Sequence, residues 1–482
     1  MRRLLSRRAF RPVLASVRLI TTESFVSAVD QVQHQLQTAQ DRRAELLRYG
    51  RQLYEVEHLD DLQTAYTPVV ASKVCHLASQ LRIDSSKGQP FAAVIEASVS
   101  AEGEKSMDVA SLARIVHSCL VLRSPYLYDV LFTFIPFVRA EASTMDAVST
   151  AVLINAYGRS GVHHPGLYEV MCDNGAAVLK DTRVSLAHIA NVVYAVSRVR
   201  YLHSPLMLTV RDHALRKVSE ASPIIALTIL DAFTELHQID EELFSAYEQR
   251  LLEHLNDLQA PLLASFLSCI AWAGRGKADV MEALGARAVA LVDTFDAASI
   301  AKVTNAYYQA SVISEDVFGA LAERACKVAS DFRTDEIASV LNALSSFDLF
   351  DAELFPLLAS RVAMLYKQVG YVDAADAAVT LSSFAAVQER NDELIYVCSQ
   401  IFAAHPGAAM DGATRIHALW AYATLNVHNE AQTKMLEEAR AKPSLMQVTP
   451  ETRLSAKDKA MLEERKQFVR KAYGIDVATA AP

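Results

Sequence analysis

The amino-acid sequence predicts an all-α fold, a right-handed α-solenoid of about nine helix-turn-helix repeats of roughly 38 residues each. Three observations carry this expectation: a composition suited to buried helices, an internal repeat, and helix-capping residues at a fixed place in that repeat. In 482 residues, 51% are hydrophobic and only 15 are Gly and 14 Pro. The chain therefore has ample apolar surface to bury and few of the punctuation residues that short strands require.

The repeat is a small residue followed by an apolar or aromatic one. It occurs at Cys119-Leu120, Ala156-Tyr157, Ala195-Val196, Ala232-Phe233, Ala271-Trp272, Ala306-Tyr307, Ala343-Leu344, Ser383-Phe384 and Ala421-Tyr422. Upstream apolar positions, such as Ile300 and Val303 before Ala306 or Ile337, Val340 and Leu341 before Ala343, share one face of a helix at 100° per residue. The small residue allows neighbouring helices to approach closely. A second helix begins near Leu167, Leu206, Leu243, Val317, Leu354 and Leu394. Asp240, Ser314, Asp351 and Asn391 precede it at the N-cap position, and Pro165 and Pro205 suit its first turn.

Outside the array, residues 1–22 carry Arg2, Arg3, Arg7, Arg8, Arg11 and Arg18 with no acid, the composition of a mitochondrial presequence. Residues 23–107 form an expected N-terminal helical cap, 108–440 the repeat array, and 441–482 a linker and a charged C-terminal helix from about Ser455 to Tyr473 that docks or lies solvated. No run approaches the ~20 apolar residues of a membrane span. The net charge is −9, and loss of the six presequence arginines makes it −15, a balance that disfavours non-specific nucleic-acid binding. The six cysteines lack C-x-x-C spacing and read as buried thiols.

No catalytic pattern emerges, and no metal or cofactor is expected. Ala273-Gly274-Arg275-Gly276-Lys277 departs from a phosphate loop at Ala271 and Ala278, and reads as the turn inside one repeat. His163-His164 has no further ligand at metal spacing. Two features recur with the repeat instead. Arg250, Arg287, Arg324 and Arg361 are each 37 residues apart in successive second helices, a ladder that suits either RNA phosphates and acidic partners or the acids and helix-end carbonyls of the adjacent repeat. Asn155, Asp231, Asn305 and Asn342, with Ser118 and Ser382, precede the small residue and are expected to line the surface that the first helices expose, as solvated positions or as base-reading groups.

The stretch Ile416-His417-Ala418-Leu419-Trp420-Ala421-Tyr422-Ala423-Thr424-Leu425 and its 37–38-residue relatives resemble the octotricopeptide and heptatricopeptide repeats of organellar RNA-metabolism proteins. With a presequence, an acidic array and no enzymatic domain, the layout is most similar to subunits of the kinetoplastid mitochondrial RNA-editing substrate-binding complex; the lack of a RAP domain departs from the wider repeat family and speaks against a nuclease-like role. The resemblance implies a non-catalytic matrix scaffold for RNA editing or processing. Its partners would be protein subunits of that complex, with guide RNA or mRNA as further ligands and no membrane. A direct RNA-binding repeat protein and a mitochondrial ribosome subunit or assembly factor are the rival expectations.

Overall fold

The computed structural model describes residues 67–82, 89–405, 407–448 and 455–475, so the expected presequence and most of the N-terminal cap lie outside the described residues. Every regular element among those residues is helical. In chain order they are α1 (Pro68–Leu81), α2 (Gln89–Ser98), α3 (Ala101–Ser106), α4 (Val109–Val121), α5 (Leu127–Thr133), α6 (Ile135–Glu141), α7 (Ala147–Arg159), α8 (Pro165–Val178), α9 (Leu186–Arg198), α10 (Ser204–Arg216), α11 (Pro223–Glu235) and α12 (Glu241–Glu253). There follow α13 (Ala260–Trp272), α14 (Ala278–Ala290), α15 (Ala297–Ala310), α16 (Glu315–Lys327), α17 (Thr334–Ser345), α18 (Leu354–Val369), α19 (Ala374–Ala386), α20 (Asp392–Ala404), α21 (Gly412–Thr424), α22 (Glu430–Ala441) and α23 (Ala456–Tyr473). The chain divides within α12 into two compact units, one ending at Tyr247 and the other starting at Glu248.

Each unit is a two-layer stack in which neighbouring helices pack in series, the arrangement of an all-α solenoid. In unit 1, α1, α4, α7, α9 and α11 stack on one another as first helices, with α6, α8 and α10 stacking behind them. Helix α1, within the expected cap, thus packs on α4 as a further member of this layer. In unit 2, α13, α15, α17, α19 and α21 form the first-helix layer, and α14, α16, α18, α20 and α22 the second. Short side chains let the first helices approach closely: a Cβ on Gly158 of α7 would sit 2.6 Å from the Cβ and carbonyl oxygen of Ala195 on α9. Tyrosines fill what remains, and their buried hydroxyls are satisfied by backbone, Tyr157 donating to the Leu131 carbonyl (2.8 Å) and Tyr307 to the Met281 carbonyl (2.7 Å).

The repeat register is set by caps at both ends of the first helix. Asp108, Asp146, Ser185, Ser222, Asp296, Asp373 and Asp411 accept first-turn N–H groups at its start. Gln259 and Arg333 hold the same place by other means; at Arg333 the backbone N–H donates to Glu336, three residues on, at 2.9 Å. Fifteen residues after each of these nine positions the backbone is left-handed, at Arg123, Gly161, Arg200, His237, Gly274, Ser311, Asp348, Gln388 and Asn426. The following N–H bonds back to the last turn, as from Val312 to the Tyr307 carbonyl (3.1 Å) and Leu349 to the Leu344 carbonyl (3.0 Å). This register corrects two assignments: the residues equivalent to Ala306 are Ser118, not Cys119, and Cys269, not Ala271.

Second helices start near the anticipated residues, although Ser314 holds its N-cap position without a side-chain hydrogen bond. Asp240 and Asn391 each accept a first-turn N–H at 2.9 Å, and Asp351 takes those of Glu353 and Leu354. At the start of α8 and α10, where proline opens the helix, histidine caps it. The Nδ1 atoms of His164 and His203 accept from Leu167 and Leu206, both at 3.2 Å, so His164 has a structural task. Five of the six cysteines are buried and Cys326 is partly exposed; burial pushes the Cys119 and Cys172 thiols up to about 12, away from thiolate chemistry.

Candidate binding surfaces

Three of the four ladder arginines, Arg287, Arg324 and Arg361, turn toward the preceding repeat. Arg324 Nε donates to the Phe295 carbonyl and Arg361 Nε to the Phe332 carbonyl, both at 3.0 Å, while Arg287 Nη2 reaches the carbonyls of Asn256 (2.7 Å) and Leu258 (3.2 Å). Leu258, Phe295 and Phe332 are buried residues that close a short 3₁₀ turn just before the next N-cap. Their carbonyls point out of a helix end and need a donor. Arg250 forms an exposed pair with Glu253 at 3.3 Å. In unit 1 other donors serve the same geometry: Asn174 donates to the Met145 carbonyl (3.2 Å), and His213 bridges the carbonyls of Leu179 (3.0 Å) and Val184 (3.1 Å).

The amide row is only partly at the surface. Asp231 is exposed, Asn305 and Asn342 are half-buried, and Asn155 is buried, as are Ser118 and Ser382. The expectation that this position faces outward fails at Asn155, which is buried, and at Ser382, which Arg465 of the C-terminal helix covers. Ser118 was also out of register; the counterpart of Asn155 on α4 is the exposed His117.

In unit 2 the row is covered by the chain itself. Helix α23, capped by Ser455, lies across the first-helix layer. At its start, Asp458 accepts from the Tyr308 hydroxyl (2.7 Å) and Gln309 (3.4 Å), and the Lys457 ammonium sits 4.1 Å above the Tyr308 ring and 4.4 Å above the Phe347 ring. Midway, the buried Arg465 stacks 4.2 Å over Trp420, donates to Ser382 Oγ (3.1 Å) and reaches His417 Nδ1. Burial, and then the guanidinium, holds His417 down to about 3, so its ring is neutral and accepts through Nδ1. At the end, Tyr473 donates to the Leu419 carbonyl (3.2 Å) and accepts from Gln432 (2.8 Å). The charged C-terminal helix therefore docks.

Unit 1 holds side chains that sequence reasoning passed over. Arg114, Arg159 and Arg198 are exposed on the consecutive first helices α4, α7 and α9, with no ion-pair partner among the described residues. The Arg159 guanidinium lies 5.5 Å from the Tyr194 ring on α9. His76 of α1 is half-buried beside them; partial burial, then the charges of His117 and Arg114, keep its imidazole below the ordinary value. Arg159 and Arg198 both stand thirteen residues past an N-cap, the one recurrence that could have marked them.

No group of three or more His, Cys, Asp or Glu side chains among the described residues could hold a metal ion, and no described helix is long and apolar enough to cross a membrane. Stacked helix pairs tied by inter-repeat polar bonds, with one face occupied by a helix, define a helical-repeat binding protein. Residues 96–430 match the family of the RNA-editing substrate-binding complex 6 protein, and the chain belongs to that family. It is a subunit of the RNA-editing substrate-binding complex, in agreement with the resemblance its repeats carry, and the rival readings as a direct RNA-binding repeat protein or a mitochondrial ribosome subunit or assembly factor are not favoured. No curated protein matches it.

Proposed function

We propose that this subunit is a non-catalytic scaffold of the mitochondrial matrix, which uses its repeat faces to hold other protein subunits of the editing complex. The observation that carries the reading is the docked helix α23. The first-helix layer of unit 2 takes up a helix through aromatic rings, small polar groups and apolar contacts, the chemistry a partner helix uses. Exposed apolar side chains recur in the turns between helices, at Leu202 and Ile239 in unit 1 and at Ile313 and Phe350 in unit 2, each seventeen residues past its N-cap. Exposed apolar residues that recur at one register suit protein contacts. Arg287, Arg324 and Arg361 serve the same end by holding successive repeats in register. The arginine-rich first 22 residues support import into the matrix.

The test is affinity purification of the tagged chain from mitochondrial extract, with and without RNase. Protein subunits that stay bound after RNase support the scaffold. Loss of all of them would mean that RNA, and not this chain, makes the connections.

A further inference from the structure

We propose that the groove between α14 and the start of α16 in unit 2 seats an amphipathic helix of another protein subunit, one that carries lysine or arginine beside an aliphatic or aromatic side chain. The inference rests on the scaffold reading and names the kind of partner it calls for. The groove has a volume of about 750 Å³. It exists because α14 is nearly bare on that side. Gly285 and Ala286 line it, where α12 carries Glu248 and Gln249 and α16 carries Ala322 and Glu323 at the same register, 37 residues away. A side chain at position 285 is excluded from within: a Cβ there would strike the Tyr307 hydroxyl, which is committed to the Met281 carbonyl. Tyr307 and Val317 are the buried part of the lining, while Val289 and Ile313 stand 37% and 57% exposed.

The charge of the groove selects the occupant. Glu282 on α14 and Asp316 on α16 line it, both exposed and without an ion-pair partner among the described residues, and no lining residue is basic. Unpaired surface acids occur elsewhere on the chain; the apolar groove they share sets these two apart. Asp316, with Glu315, already supplies the negative charge that the start of α16 favours, so the site has no call for an anion. A lysine or arginine whose stem lies along the apolar lining brings its charge to the carboxylates. An apolar side chain one turn away on the same partner helix covers Val289 and Ile313. The partner is a helix because α14 and α16 offer no strand edge, so contacts come through side chains. On its other layer unit 2 already holds a helix by such chemistry, with Lys457 of α23 above the rings of Tyr308 and Phe347.

The experiment purifies the tagged full chain from RNase-treated mitochondrial extract and quantifies every protein subunit recovered. E282K/D316K should lower the recovery of one subunit by about tenfold or more, the loss expected when a charged contact at an interface is reversed. E430K/E437K, the same change of charge at two exposed acids of α22, should leave recovery unchanged. A benzophenone side chain placed at the exposed Ala278 of the groove should couple to that same subunit, in a segment that carries lysine or arginine next to apolar residues. Replacing those basic residues by glutamate should restore binding to E282K/D316K. Because Glu282 and Asp316 are exposed and unpaired, the purified variants should melt with the parent. Parent-level recovery of every subunit with E282K/D316K overturns the proposal, while subunits that survive RNase on the parent still uphold the scaffold. Coupling of Ala278 to this chain itself, in the same or a second copy, or to an acidic segment also overturns it. If the parent loses every subunit after RNase, both readings fall.

Discussion

Arg324 donates its Nε–H to the carbonyl oxygen of Phe295, 29 residues earlier, at 3.0 Å, and Arg361 repeats the bond to Phe332 one repeat further on. Each bond joins a second helix to the turn that closes the preceding repeat, so it ties neighbouring repeats and satisfies a carbonyl that helix geometry leaves open. Arg324→Ala strands that carbonyl and should cost about 1–3 kcal/mol of unfolding free energy. The measurement is the urea midpoint. Arg324→Lys should recover only part of the loss, because an ammonium lacks the planar fork.

His417 makes the stability depend on pH. Its folded value is held down to about 3, far below the ordinary 6.5 of an unfolded histidine. Between those values the unfolded chain binds the proton and the folded chain does not, so stability falls as pH drops below about 6.5, by at most about 1.4 kcal/mol per pH unit. Comparing urea midpoints at pH 7.5 and 5, His417→Gln should show a smaller decline than the parent.

Asp376 works in the opposite direction. Burial pushes its carboxyl up to about 6, despite the hydroxyl of Thr334 donating to it at 2.8 Å. The folded chain then holds the proton longer than the unfolded one, and ionising Asp376 costs stability that grows as pH rises from about 4 to 6 and stays lost above that. Asp376→Asn should raise stability at pH 7.5 by about 1–3 kcal/mol and make little difference at pH 4, read by thermal melts at the two values.

Two glycines mark contacts that tolerate no side chain. On Gly285 a Cβ would meet the Tyr307 hydroxyl at 2.1 Å and Val317 at 2.9 Å, and on Gly158 it would meet Ala195. Gly158→Ala or Gly285→Ala should each destabilise by about 1–3 kcal/mol through overpacking. At the left-handed Ser311, Ser311→Gly relieves backbone strain and should stabilise by a few tenths to about 1 kcal/mol. Calorimetry of the three variants checks the opposite signs.

Much of this architecture was legible because capping is local chemistry. Asp240 and Asn391 mark second-helix starts before any packing is known, whereas the first-helix caps Asp146, Ser185, Asp296 and Asp411 went unread in the sequence. The register slipped at Cys119 and Ala271, where two adjacent or nearby small residues fit the same pattern and only the backbone distinguishes them. The turns hid for a related reason: only Gly161 and Gly274 of the nine left-handed residues are glycine. The spacing of the arginine ladder was visible, but not the choice between solvent and a carbonyl 29 residues back. Docking of α23 was one of two readings open, but the surface it takes was beyond reach, because Asp458 finds Tyr308 150 positions away.

The scaffold reading is tested most directly by cross-linking mass spectrometry on the intact editing complex after RNase treatment. The account predicts lysine cross-links from this chain to at least two other protein subunits, persisting without RNA. If cross-links to other proteins vanish once RNA is digested, the chain is held in the complex by RNA and the scaffold role is wrong.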